Sequence, residues 1–417
     1  MIVVPCDVAM EQVSEDSFAF QNVLGRSPVR PADQALARLA DLLNAGQRIT
    51  LLCGIGCADA HDELLALSER LAARVVHTLR GKAFVEHDNP ADVGMTGPIG
   101  DHSGYHALAT CDTLLMLGTD FAHHDWLPST TIIAQADWCP EHLGRRCRLD
   151  LGLVGDIRET LQALLPLLEQ KSDHAHLQDA VRDHERSQQL HQTHLTSIKN
   201  QRPIHPEYLA AVINELAGDD AIFTVDTGTC AIWAARQLAM TRDRRLLGSF
   251  NHCSMASALP QAIGAQFLQP GRQVVSLCGD GGFSMLMGDF LTVSQHRLPI
   301  KTILFNHSSL ALVKLEMHAV GLPDYAPDLV NPNFSEMAQT VGVMGIRVED
   351  PAEVRSAVPR VLSVKGPVLL DVVTNPHVPA KPPKISLLQA GRFGLALLKE
   401  SLRNRTATNH GLGTMNS

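Results

Sequence analysis

Short unbroken apolar runs alternate along most of the chain with stretches in which apolar residues return every three or four positions. Between Pro31 and Ala45 the leucines Leu36, Leu39, Leu42 and Leu43 follow that helical spacing, and Gly46 separates them from the run Ile49–Cys53. The first pattern predicts a helix with one buried face, and the second a strand buried on both faces. A helix over 61–73, a strand over 74–79, a Gly- and Pro-rich loop over 89–104 and strands over 113–118 and 131–137 follow. After Pro206 the alternation resumes with a helix to Leu216, a strand over 221–226, a helix over 231–240 and a Gly/Ser/Ala-rich segment over 248–264. Strands over 273–278, 300–306, 345–348 and 367–373 then enclose helices over 284–296 and from Pro351. Strands alternating with helices predict parallel sheets joined by crossovers, hence an α/β chain of two doubly wound domains.

The two patterned regions give boundaries of 1–168 for a first domain and 204–375 for a second, with a polar linker over 169–203 and a tail over 376–417. His174, His176, His184, His191 and His194 are spread through the linker without an acidic or cysteine complement, so a solvated helical linker is expected there and not a metal site. The opening residues Val3–Val8 resemble a buried strand with no lead-in.

Composition narrows the classes. Among 417 residues, Lys+Arg number 35 against 44 Asp+Glu, for a net charge of -9. No basic cluster is present to neutralise a phosphate backbone, which argues against a nucleic-acid partner. The nine cysteines form no Cys-x-x-Cys pair, and no basic leader or long apolar run is evident, so a cytoplasmic protein is expected.

Two Gly-rich turns carry candidate chemistry. Gly54-Ile55-Gly56 follows a strand and precedes a helix, where a dinucleotide pyrophosphate would meet backbone N–H groups, but the third glycine of that pattern is absent. The second is Gly279-Asp280-Gly281-Gly282 after a strand, with Asn306-His307 closing the next one. Open α/β sheets bind ligands at the carboxyl ends of their strands. Glycines let N–H groups approach a diphosphate there, and an aspartate supplies a hard oxygen for Mg2+.

In these residues, and in the stretches 246–266 and 95–104, the chain resembles thiamine-diphosphate enzymes of the pyruvate oxidase, or quinone-dependent pyruvate dehydrogenase, type. The likeness runs from Val3 to about Leu398. It implies a flavin-binding domain followed by a diphosphate-binding domain, and oxidative decarboxylation of pyruvate to acetate and CO2, with FAD and a quinone as electron acceptors. It places Asp280, His307 and Ser309 at the Mg2+ positions, with Gly281, Gly282, Ser308 and Leu310 beside them. Asp226, Thr227 and Gly228 fall on the other side of the diphosphate. Cys253, Ser254 and Met255 match a segment that receives the aminopyrimidine, Met255 wedging the cofactor into a bent conformation. Glu316 takes a position that faces the active site in relatives. For FAD the resemblance points to Pro98, Ile99, Gly100 and Asp101 with Thr96 and Gly97, to Phe121, Ala122, His123, His124 and Asp125, to Asp137 and Cys139, and to the turn at Arg80–Lys82.

This chain departs from the family at several of those places. His307 stands where the second asparagine binds Mg2+, and imidazole suits Zn2+ or Ni2+ better than Mg2+. Phe121-Ala122-His123-His124 replaces a segment with an arginine, and Cys139 replaces an asparagine, which implies weaker FAD binding. Cys253 replaces a glycine. The N-terminal pyrimidine-binding domain, with its activating glutamate, has no counterpart, so activity is expected to need that domain from a separate chain. The competing expectation is a catalytically silent homologue that binds cofactor or associates with full-length relatives. A homo-oligomer is expected, and the tail over 401–417 is too polar for stable membrane binding.

Overall fold

The computed structural model describes residues 3–12, 27–379, 382–385 and 388–400. The first sheet is built from β1 (Ile49–Cys53), β2 (Arg74–His77), β3 (Asp92–Met95), β4 (Thr113–Leu117), β5 (Ile132–Asp137) and β6 (Leu151–Val154), in the order β3-β2-β1-β4-β5-β6. The second comprises β7 (Ile222–Val225), β8 (Arg245–Gly248), β9 (Val274–Gly279), β10 (Lys301–Asn306), β11 (Met344–Val348) and β12 (Val368–Val373), in the order β11-β12-β10-β9-β7-β8. Every pairing is parallel. This is the expected doubly wound α/β architecture.

Central strands are buried throughout, as their largely apolar runs require. Helices cover both faces. Helix Asp33–Ala45 turns Leu36, Leu39, Ala40 and Leu43 inward, and helix Pro351–Ser363 buries Val354, Val358 and Val361.

Three strands lay outside the sequence expectation. β3 falls inside the expected loop over 89–104, and β6 and β8 were not anticipated. Each is four residues long, contains a glycine and lies at a sheet edge, so none shows the apolar run of a central strand. The opening strand is absent: residues 3–12 are exposed, with one helical turn at Cys6–Ala9. Pro5 precedes that turn and no described strand lies beside it to pair with. The segment 401–417 lies outside the described residues. Among the described residues no helix is long and apolar enough to cross a membrane.

The polar linker forms helix Ala175–Ile198, but its histidines are not simply solvated. His184 Nδ1 lies 2.9 Å from Ser103 Oγ in the first domain, and His191 Nε2 lies 2.8 Å from Gln237 Oε1 in the second. His194 pairs with Glu207 at 3.2 Å, and burial pushes the pKa of His176 down to about 4. The helix is therefore a strap fastened to both domains.

The chain reverses its direction of travel between β1 and β4 in the first sheet and between β7 and β9 in the second, where β12 also turns back to lie between β11 and β10; crevices form at such switch points. The first is filled by backbone. Gly54 and Gly56 donate their N–H groups to the carbonyls of Leu117 and Gly118, at 2.9 and 3.0 Å. Those amides are unavailable to a pyrophosphate, so the glycines at 54 and 56 serve loop packing. A Cβ at Gly118, whose φ is +56°, would fall less than 3.0 Å from Gly56 Cα. Gly118→Ala is therefore expected to lower stability by about 2–4 kcal/mol in urea unfolding. Gly264→Ala, in an exposed helical position with open space around it, should change it by less than about 1 kcal/mol and in the stabilising direction.

Candidate functional site

The second switch point is lined by side chains. Asp226 follows β7, Asp280 follows β9 and His307 follows β10, so neighbouring strands deliver three titratable groups to one sheet edge. Asp280 is 1% exposed. Its Oδ2 accepts the Ser308 N–H at 2.6 Å and the Asn331 side-chain amide at 2.7 Å, while Oδ1 accepts the Gly281 N–H at 3.0 Å. The Asn331 amide also donates to Asn306 Oδ1 at 2.9 Å; Asn306 in turn donates to Asp371, which is held by Arg347. This chain of bonds ties β11, β12 and β10 to the carboxylate after β9.

His307 stands against that carboxylate without bonding to it. Its Nε2 lies 3.2 Å from Thr229 Oγ1, and its Nδ1, buried and without a hydrogen-bond partner, lies 3.7 Å from Asp280 Oδ1. Burial pushes the His307 pKa down, and the Asp280 charge opposes this. Asp226 is equally buried. Its Oδ1 accepts the Ala258 N–H at 2.9 Å, at the start of helix Ala258–Leu268, and its Oδ2 has no partner. Burial raises its pKa to about 6.

Small residues let these loops pack closely. A Cβ on Gly281 would come within 2.7 Å of Leu310 Cδ2 and 3.4 Å of the Leu329 and Met255 side-chain ends. One on Gly282 would strike the Asp226 carboxylate. Met255, Leu310, Gly281, Gly282 and Asp226 thus form one patch. Cys253 and Ser254 are exposed at its rim, Thr227 and Gly228 are half-buried ahead of helix Thr229–Gln237, and Ser309 is buried with an unpartnered hydroxyl. Glu316 is exposed on helix Ala311–Ala319, and no hydrogen bond or ion pair among the described residues joins it to Asp280.

Residues 226–372 match the family "Thiamine pyrophosphate enzyme, C-terminal TPP binding domain", and residues 36–164 match "Thiamine pyrophosphate enzyme, central domain". The chain is 33% identical over 409 residues to the Bacillus subtilis protein named "Putative thiamine pyrophosphate-containing protein YdaP", covering 95% of this chain and 70% of that one. It belongs to the thiamine pyrophosphate enzyme family. Pyruvate oxidase of Lactiplantibacillus plantarum is 27% identical over 93% of this chain and 65% of its own length. Acetolactate synthase 1 of Zea mays is 27% identical over 90% and 62%.

In these domains, the Asp280 edge offers the buried, unpartnered Ser309 hydroxyl, which can donate to a phosphate oxygen, while the unpartnered Asp226 Oδ2 accepts and would need a donor from the ligand. The edge does not fit Mg2+ well. One Asp280 oxygen already accepts two N–H groups, and the other faces an imidazole nitrogen, which is not the oxygen ligand Mg2+ favours.

The first domain offers FAD less. The Gly100 and Asp101 N–H groups donate to the carbonyls of Gly97 and Met95, and the Ile99 carbonyl accepts Arg236 Nε at 3.0 Å. The Asp101 carboxylate accepts the Met95 N–H, and Asp137 accepts the Cys139 N–H and lies 3.1 Å from His142. Pro98 is half-buried beside Gly97, whose Cα packs toward the Phe121 ring. Ala122, His123, His124 and Asp125 are exposed. Arg145 and Arg146 stand close by but pair with Asp120. Arg80 donates to Asn251 in the second domain, and Lys82 pairs with Glu86. The groups at these loops bond chiefly to one another, and the buried Thr96 hydroxyl is without a partner, so few donors are free to hold a flavin dinucleotide.

Asn331 was not anticipated. Its local sequence, Asn331-Pro332-Asn333, reads as the lead into helix Phe334–Thr340, which Asn333 caps, and nothing local marks the first asparagine as a partner of Asp280.

Two outcomes follow from this geometry. Cys253 has φ +51°, the left-handed region that favours glycine. Cys253→Gly should therefore raise stability by about 1 kcal/mol in chemical unfolding. The folded pKa of Asp226 lies above its unfolded value, so its burial favours folding only while it is protonated, and that contribution is lost as pH rises from about 4 through 6. Asp226→Asn should raise the melting temperature at pH 7.5, and the gain should vanish near pH 4.

Proposed function

We propose that this chain holds the diphosphate end of a thiamine-diphosphate-dependent enzyme that decarboxylates pyruvate or a closely related 2-oxo acid. The observation that carries the reading is the convergence of Asp226, Asp280 and His307 at the switch point of the matched TPP-binding domain. Two relatives, pyruvate oxidase and acetolactate synthase, support the substrate class.

Bound thiamine diphosphate supplies an electron sink that makes loss of CO2 from a 2-oxo acid feasible. The protein's part is placement. Asp280, fixed by Ser308 and Asn331, sets the charge at the diphosphate. Gly281 and Gly282 keep the floor of the site free of side chains, and Met255, packed against Gly281, is placed to support the cofactor's bend. Asp226, Thr227 and Gly228 bound the opposite side, and the Ser309 loop lies beside His307. The activating glutamate comes from a pyrimidine-binding domain outside the two domains described. The family resemblance assigns Glu316, exposed on its helix, to the substrate side.

The oxidative branch, with FAD and a quinone as acceptors, is the finer form of the proposal. The paired donors in the flavin-like loops predict weak FAD affinity. A homo-oligomer is supported by the exposed apolar side chains Phe267, Leu268, Met285 and Leu291 of the second domain.

Calorimetric titration tests the cofactor reading. Thiamine diphosphate with divalent metal should bind the wild-type chain, and Asp280→Ala should weaken it about 100-fold, as expected for a buried charge-assisted contact. No heat with wild type would refute the reading. With a pyrimidine-binding domain added, CO2 release from pyruvate separates an enzyme from a silent cofactor-binding homologue. An absent flavin absorption band at saturating FAD would remove the oxidative branch and leave non-oxidative decarboxylation.

A further inference from the structure

We propose that Asp280 and His307 hold a four- or five-coordinate transition-metal ion of the Zn2+ or Co2+ class in place of the Mg2+ that the family pattern calls for. The inference rests on the thiamine-diphosphate reading of the same edge for its biological purpose, but its geometry stands apart from it.

Asp280 Oδ1 and His307 Nδ1 face each other 3.7 Å apart, and Nδ1 is buried with no hydrogen-bond partner. With the imidazole proton on Nε2, toward Thr229 Oγ1 at 3.2 Å, both facing atoms carry lone pairs. Two lone pairs in a buried place repel unless a cation lies between them. With the proton on Nδ1, that nitrogen still lies 3.7 Å from the carboxylate, beyond hydrogen-bond distance, with the Ser309 backbone as its alternative neighbour.

Metal bonds of about 2.1 Å to both atoms would span the 3.7 Å between them. A nitrogen donor favours Zn2+ and Co2+ over Mg2+, which prefers oxygen ligands.

The surrounding bonds are those of a supported metal site. Thr229 fixes the imidazole through its other nitrogen, and Ser308 N–H and Asn331 fix the carboxylate through Oδ2, while Oδ1 accepts the Gly281 N–H and faces His307. Such outer contacts orient ligands in metal centres. Ser309, two residues beyond His307, contributes a buried hydroxyl with no partner. Diphosphate oxygens would complete the coordination.

The test uses the full chain stripped of metal and titrated with Co2+, whose visible bands report nitrogen ligation. Bands should form in wild type, resist excess Mg2+ and be lost in His307→Ala. They should persist in His318→Ala, which dismantles the three-residue group His318, Asp324 and Glu400 that could also hold a metal ion. Thiamine diphosphate should bind at least about tenfold more tightly with Zn2+ or Co2+ than with Mg2+, and His307→Asn should reverse that order. Bands that vanish in His318→Ala but survive His307→Ala would overturn the proposal. So would equal cofactor affinity with all three metals, unchanged by His307→Asn, although the cofactor reading would then stand. Bands at His307 without thiamine-diphosphate binding under any metal would sustain the metal site and defeat the cofactor reading.

Discussion

The second domain is organised around a carboxylate that water does not reach. A buried charge is costly unless surrounded by donors, and Asp280 has three: the Gly281 and Ser308 N–H groups and the Asn331 amide. Those contacts fix the loops after β9 and β10 and the approach to helix Phe334–Thr340 relative to one another. Through Asn306, Asp371 and Arg347 the constraint extends across three further strands. The position of His307, the packing around Gly281 and the unmet valences at Asp226 and Ser309 all depend on this framework.

The first domain uses the same topology differently. Its switch point is closed by glycine backbone against glycine backbone, and its loops satisfy their donors locally or across to the second domain. Arg236 to Ile99 and Arg80 to Asn251 join the domains at the side of the sheets where the cofactor segments lie. The strap helix adds His184 and His191 on either side. The first domain is thus tied to the thiamine-diphosphate edge while offering few free groups for a flavin of its own.

Central elements were legible in the sequence because burial on both faces forces a largely apolar run. β4 shows one after Thr113, and β1, β9, β10 and β12 are apolar but for a few polar positions such as Thr50, Ser276, Thr302 and Asp371. β3, β6 and β8 were not legible, since a short edge strand with a glycine looks like a turn. The histidines of the linker looked solvated because its composition is polar, and only the fold shows that Ser103, Gln237 and Glu207 come to meet them. In the site, Asp280 and His307 were legible from their places after strands. Asn331, 51 residues from Asp280, was not, because its role depends on a long-range approach and its neighbours spell a helix cap. Cys253, which stands where the family carries glycine, has a positive φ.

The claim on which the rest turns is that the edge formed by β7, β9 and β10 receives the cofactor's diphosphate. A crystal structure of the chain soaked with thiamine diphosphate and Co2+, with the metal located by anomalous scattering, addresses it directly. The expected result is a diphosphate at that edge, with the ion bonded to Asp280 Oδ1 and His307 Nδ1. A diphosphate lodged in the first domain, or an ion away from Asp280, would contradict the account.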